Sequence, residues 1–240
     1  MVATTHAVRF DSVDAHRRDR LALDSVSFGI PSGAVASIVG PNGAGKSTML
    51  GLISGRFRPT RGSVRVEGSV AEVLQATAID DHMPLTVEDV VRQGRYSKLG
   101  PFRPMRKRDR MIVDEVIADV DMSEHRRAPI TELSGGQRQR VLVAQGLAQD
   151  AEVLLLDEPM AGVDAPTQRK LTEVIRSVAD TGVTVMLSTH SVDHARRGDM
   201  VIALCCQCLC CAPVDEALEN PDVIDLFDVG DHGRGGRTER

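Results

Sequence analysis

Nine residues, Gly40-Pro41-Asn42-Gly43-Ala44-Gly45-Lys46-Ser47-Thr48, stand between an apolar run at 34–39 and a helix-compatible run that continues to Ile53. This is the pattern of a phosphate-binding loop between a strand and a helix. Its glycines let the backbone curl so that successive N–H groups face a polyphosphate, a lysine in the place of Lys46 reaches the outer phosphates, and a hydroxyl in the place of Ser47 can sit on Mg²⁺. The helix N-terminus adds a dipole that favours an anion. The loop therefore predicts an α/β fold and the binding of ATP or GTP, and it leaves open what is done with the energy.

At 240 residues the chain can bury a substantial core as one domain, or as one core with an inserted subdomain. A net charge of −5 gives no global reason to expect nucleic acid as a partner, and only 2% aromatic residues weaken any idea of base-stacking platforms. The longest apolar runs, such as 153–156 and 201–206, fall far short of the roughly 18 residues that span a bilayer. The N-terminus lacks the basic start and apolar stretch of a signal peptide, so a cytoplasmic location is expected.

Along the chain, 7–13 reads as an edge strand and 21–30, with Val26, Phe28 and Ile30 at alternate positions, as a second, with a polar turn at 16–20 between them. After the phosphate loop, 63–67 and 69–74 alternate like a hairpin that ends at Gln75. Helical patterns follow over 76–150, with Thr86 as an N-cap and a strongly basic stretch, Arg92 to Arg110, that reads either as a solvated loop or as a surface near anionic lipid headgroups. Leu133-Ser134-Gly135-Gly136-Gln137 then opens a helix, Ser134 being a natural N-cap and the glycines leaving room for a phosphate.

The run 153–156 is wholly apolar, as in a strand buried on both faces, and ends in Asp157-Glu158-Pro159. Open α/β sheets place ligands at the carboxyl ends of strands, so Asp157 fits a Mg²⁺ ligand and Glu158 a base that polarises an attacking water. A loop, Ala161-Gly162-Val163-Asp164, a helix over 167–180 and an apolar strand over 183–187 lead to His190, a third polar residue at a strand end, for which a γ-phosphate contact is expected. A helix over 192–197 and a strand over 200–204 complete a parallel α/β core.

Residues 40–48, Gln75, 133–137, 153–158, 161–164 and His190 together resemble the Walker A, Q-loop, signature, Walker B, D-loop and switch-histidine motifs of ABC ATPases. The resemblance covers roughly residues 7–225. It implies a P-loop NTPase fold: a RecA-like core (1–75 and 151–227) with an antiparallel β part and a helical subdomain inserted at about 76–150. The glycine- and charge-rich residues 228–240 read by themselves as a disordered tail. It implies ATP and Mg²⁺ as cofactors, with Ser47, Gln75 and Asp157 serving the metal and Lys46, Glu158 and His190 serving hydrolysis. Ser134, Gly135, Gly136 and Gln137 would cover the γ-phosphate on a second ATPase subunit, a further copy of this chain or a paralogue, and Asp164 would couple the two sites.

The stretches 84–91, 94–100 and 158–164 further resemble the ATPases of zinc, manganese and iron importers. For such a subunit the resemblance implies integral-membrane permease partners, a peripheral place on the inner face of the cell membrane, and indirect service to an extracytoplasmic substrate-binding protein. An importer of iron chelates or other small solutes, or a soluble non-transport ABC ATPase, is the alternative. Two departures stand out. The family's adenine-stacking aromatic is replaced by His16 or Arg17, each of which could stack or simply belong to a solvated turn. Cys205, Cys206, Cys208, Cys210 and Cys211 crowd one strand pattern, which reads as small apolar packing or as thiolate ligands for zinc; strict alternation would put Cys206, Cys208 and Cys210 on one face.

Overall fold

Alternating apolar residues Val8 and Phe10 open β1 (His6–Arg17), which pairs antiparallel with β2 (Arg20–Pro31) and, on its other edge, with β4 (Arg61–Val66). Phe10 lies opposite Phe28, their rings stacked with centroids 4.5 Å apart, so the pair seals one face of this small sheet. The computed structural model describes residues 5–17, 20–73, 84–99, 103–205 and 207–231. The expected turn at 16–20 is shorter than its polarity suggests. The ladder shifts register around Ser12 and continues, so His16 pairs with Leu21 and Arg17 with Arg20 as strand residues.

The described chain divides into two compact units, one ending at Glu67 and resuming at Met186, the other spanning Gly68–Val185. The first unit holds the sheet just described. It also holds β3 (Val35–Val39), buried at every position, and α1 (Lys46–Ile53), with β8 (Met200–Cys205) parallel to β3 and β9 (Gln207–Pro213) antiparallel to β8. β8 and β9 close over a core of Val39, Ala195, Val201, Ala203, Ala212, Val223 and Phe227. This core is supplied also by the short helices α6 (Val192–Ala195) and α7 (Val214–Ala217) and by α8 (Pro221–Asp231). α8 carries helix four residues into the stretch expected to be a tail; 232–240 lie outside the described residues.

In β9, Cys210 pairs with Ala203 but Cys208 with Leu204, so Leu209 is one residue too many and strict alternation of the cysteines ends there. Cys210 packs against the core cluster and Cys205 is exposed. Burial pushes the thiols of Cys208, to about 11, and Cys211, to about 12, well above the ordinary range. Among the described residues, which leave out Cys206, no group of three or more His, Cys, Asp or Glu is arranged to hold a metal.

In the second unit β5 (Val70–Val73) pairs parallel with β6 (Val153–Leu156). β4 and β5 therefore do not form the hairpin that their alternation suggests. At the junction Gly68 takes φ +87° against the Glu152 side chain, and the Ser69 N–H donates to Glu152 Oε2 at 2.7 Å, which turns the chain toward β6. Helices α2 (Val87–Leu99), α3 (Lys107–Asp119), α4 (Gly135–Leu147) and α5 (Ala165–Asp180) complete the unit, and β7 (Thr184–Ser188) runs out of it. Thr86 caps α2 by accepting from the Asp89 N–H, and α2 crosses α4 where Gly94 lies against the Gln145 carbonyl. Arg95 is buried at this crossing, donating to Asp109 Oδ1 from Nη2 at 2.8 Å and to the Ala148 carbonyl from Nη1 at 2.8 Å. Three helices are thus pinned to one guanidinium.

Candidate functional site

The loop after β3 needs glycine for two separate reasons. Gly40 has φ +150° and a Cβ there would stand 2.3 Å from the Leu204 carbonyl oxygen; Gly45, the N-cap of α1, has φ +104° and would press on the Ala22 carbonyl. Between them the Ala44 N–H donates to the Pro41 carbonyl, closing a turn. Lys46 is buried, its Nζ donating to the carbonyls of Gly40 at 2.7 Å and Pro41 at 3.2 Å, so the ammonium lies folded along the inside of the loop. Asn42, Gly43 and Ser47 are exposed, while Ala44 and Thr48 are buried. The result is an open rim of backbone at a helix start with a cation beneath it, the arrangement that receives a phosphate chain.

β7 brings His190 into the first unit beside this loop. The Thr189 N–H donates to the Ile38 carbonyl at 3.1 Å, which fixes the residue before His190 two positions ahead of Gly40 on the neighbouring chain segment. Thr189 Oγ1 accepts from the Ser191 N–H and lies 3.4 Å from His194 Nδ1, so the turn carrying the half-buried His190 is braced from both sides. Burial, with Arg197 nearby, holds the His194 imidazole below its ordinary pKa. On β1, His16 is exposed and its Nδ1 lies 3.2 Å from Thr60 Oγ1, whereas the Arg17 guanidinium lies 4.5 Å over the Phe57 ring.

In the second unit, β6 is buried throughout and delivers Asp157 and Glu158, both half-buried, at its carboxyl end. Glu158 has φ +50°, a left-handed conformation that costs a non-glycine residue on the order of 1 kcal/mol or more. It is held there by the turn that its carbonyl closes with the Ala161 N–H. Six residues after Glu158, Asp164 caps α5: its Oδ1 accepts from the Thr167 N–H at 2.8 Å, and hydrogen bonds from Thr167 hold its carboxyl below the usual range. Gln168 Nε2 donates to the Val163 carbonyl at 3.1 Å, which ties the loop back onto its own helix.

Ser134 opens α4 with a capping box: the Gln137 N–H donates to Ser134 Oγ and the Ser134 N–H donates to Gln137 Oε1 at 2.9 Å. Ser134 and Gly135 are exposed, and a Cβ at Gly135 would meet nothing within 4 Å. Gly136 instead lies against Thr167, so the starts of α4 and α5 meet through one glycine and one threonine. Gln75 lies outside the described residues.

Three residues at these places have no motif of their own: His125, whose Nε2 is 3.0 Å from Gln137 Nε2, Thr167 and Thr189. Thr167 alone has a local signal, the Asp164-x-x-Thr167 spacing of a capped helix start.

A family model described as "ABC transporter" matches residues 23–161. The zinc transport system ATP-binding protein TroB of Treponema pallidum (strain Nichols) is 39% identical over 84% of this chain and 79% of its own length. The manganese transport system ATP-binding protein MntB of Halalkalibacterium halodurans is 35% identical over 90% of each. Among solved structures, a metal-chelate type ABC transporter in an inward-facing conformation aligns with TM-score 0.85 at 24% identity, over 93% of this chain and 90% of that one. The ATP-binding cassette MJ0796, a dimer bound to ADP and Pi, aligns with TM-score 0.73 at 25% identity over 86% and 98%.

Proposed function

This chain belongs to the ABC transporter family, and we propose that it is the ATP-hydrolysing subunit of an importer for a metal cation of the zinc, manganese or iron class. The observation that carries the nucleotide part is the glycine-lined loop at 40–48 with the Lys46 ammonium laid along its inner carbonyls. The cargo class rests on relatives named for manganese, zinc and chelated iron transport.

In this reading Lys46 and the loop amides hold the phosphates of ATP. Mg²⁺, which neutralises charge between the outer phosphates, would take oxygen ligands from Ser47 and Asp157, with Gln75 sensing it; an exposed hydroxyl at a helix start and a half-buried carboxylate at a strand end are donors that a hard cation accepts. Glu158, set apart by its backbone conformation, orients the attacking water, and His190 steadies the γ-phosphate. Ser134 and Gly136 meet the γ-phosphate of a nucleotide carried by a second ATPase subunit, and Asp164 couples the two sites, so ATP closes the pair and hydrolysis opens it.

Among the described residues no helix is long and apolar enough to cross a membrane, which fits a subunit that works through a separate permease. The helices between residues 87 and 147 take the part of the inserted subdomain that hands the motion on, the remainder that of the RecA-like core. His16 and Arg17 are the residues nearest the role of adenine platform.

Uptake of radiolabelled zinc, manganese and iron by a strain deleted for this chain tests the reading. Uptake of one of these metals falls, wild-type protein restores it, and Glu158→Gln does not while accumulating as an ATP-bound dimer. Loss of chelate uptake alone would shift the cargo to iron chelates, and unaltered uptake of every metal and chelate would refute the transport role.

A further inference from the structure

The side-chain amide of Gln137 has a partner at each end within its own subunit. Its Oε1 accepts from the Ser134 N–H at 2.9 Å, which leaves Nε2 as the free end of the amide, and an amide nitrogen can only donate. That nitrogen lies 3.0 Å from His125 Nε2, so His125 must offer a lone pair there and carry its proton on Nδ1. His125 is itself well anchored: its N–H donates to the Met122 carbonyl at 3.1 Å, and its own carbonyl accepts from the Ala128 N–H at 2.8 Å. Imidazole, amide and cap form one chain of hydrogen bonds that ends on the exposed Ser134.

We propose that His125 is a positioning residue for the start of α4, acting through Gln137. The Ser134 N–H claims the oxygen of the Gln137 amide, and the imidazole holds the opposite, nitrogen end. With the acceptor in place, the amide oxygen is presented to the Ser134 N–H and both halves of the capping box are made. Without it the Ser134 N–H alone holds the amide in that orientation, and the side chain is freer to leave the cap. Rotated by half a turn, its NH₂ would face the Ser134 N–H, two donors would oppose one another, and one half of the cap would be lost. Gln137 then works by holding Ser134 and Gly135 in place for a phosphate, with its own side chain turned inward. The inference rests on the reading that Ser134 and Gly136 meet the nucleotide of a second subunit.

The test uses the purified full chain and three measurements: steady-state ATP hydrolysis, ADP affinity and melting temperature. His125→Leu keeps the volume and removes the acceptor, while His125→Gln supplies an amide oxygen in its place. Ser134→Arg fills the space above the helix start and reports on the underlying reading. For His125→Leu the expected result is a kcat lower by about fivefold, the scale of a lost cap, with ADP affinity unchanged because the loop at 40–48 is untouched. His125→Gln should recover to within about twofold.

Wild-type kcat in His125→Leu overturns the inference while inactive Ser134→Arg leaves the functional reading standing. A His125→Gln variant as slow as His125→Leu overturns it too, because shape and not an acceptor would then be what counts. An equal fall in ADP affinity for His125→Leu overturns it as a general folding effect. Hydrolysis at the wild-type rate by Ser134→Arg instead sinks the reading on which the inference stands.

Discussion

A methyl group on Gly136 would stand 2.9 Å from the Thr167 hydroxyl oxygen and 3.3 Å from its methyl carbon, so the helix that opens at Ser134 is seated directly on the helix capped by Asp164. No real Cβ sits that close, and Thr167 cannot rotate away freely because its amide is bonded to Asp164 and its side chain is β-branched. The starts of the two helices are therefore bound to move together.

Gly136→Ala is expected to push α4 off its seat, with an overpacking cost of about 1–3 kcal/mol. ATP hydrolysis should fall by about tenfold, and Thr167→Ala in the same chain should restore much of it by vacating the space. Steady-state hydrolysis of the two single variants and the double variant, run as a cycle, checks this; simple additivity would show that the contact carries no coupling.

Lys46 lies buried along two carbonyls, so its replacement removes both a cation for phosphate and the internal partner of Gly40 and Pro41. Lys46→Ala should weaken ATP binding by roughly tenfold or more, in line with the loss of a charged hydrogen bond. Lys46→Arg should not rescue it, since a planar guanidinium does not fit where a compact ammonium turns back on the loop. Titration with a fluorescent ATP analogue measures both, and tight binding by the arginine variant would contradict the geometry.

The Arg95–Asp109 pair joins α2 to α3 and, through the Ala148 carbonyl, to the end of α4. Arg95→Met leaves a buried carboxylate without its guanidinium partner and should cost about 3–5 kcal/mol in chemical denaturation, whereas Arg95→Met with Asp109→Leu should cost far less. The Arg95 hydrogen bond, followed by the Arg106 N–H, holds the Asp109 carboxyl below its ordinary pKa. Its stabilisation is therefore complete above the unfolded-chain value of about 3.9 and disappears as pH falls through the folded value. The stability gap between wild type and Asp109→Asn should be flat above about pH 5 and narrow below about pH 4.

Much of this was legible in the residues, and the parts that were not share a cause. Residues 40–48, the apolar run before Asp157 and the cap at Ser134 are encoded by neighbours in sequence, so spacing alone predicts the strand, loop and helix start that appear. His125 and Gln137 are twelve residues apart, Thr167 and Gly136 thirty-one, and neither contact leaves a periodic trace. The false hairpin at 63–74 shows the same limit, because alternation specifies a strand and not its partner; Glu152, far along the chain, decides where Ser69 goes. In β9 the bulge at Leu209 undoes a face assignment that assumed unbroken alternation.

That bulge bears on the last expectation, which concerns the cysteines. Cys205 is exposed at the end of β8, while Cys208 and Cys211 are half-buried with thiols raised to about 11 and about 12, burial being the larger cause in each. Alkylation requires the thiolate, so at pH 8 iodoacetamide should modify Cys208 slower than an ordinary thiol by on the order of a hundredfold and Cys211 by on the order of a thousandfold, and Cys205 should be modified first. Peptide mapping by mass spectrometry separates them. The same shifts work against the fold in alkali. A thiol whose folded pKa is raised contributes stability that is complete below the unfolded value of about 8.5 and is lost as pH climbs through the folded value. The stability advantage of wild type over Cys211→Ala should therefore shrink from pH 8.5 upward. Preferential alkylation of Cys208 or Cys211 at pH 8, or stoichiometric zinc binding that protects them, would show that this hairpin is a reactive thiol cluster and not an apolar strand.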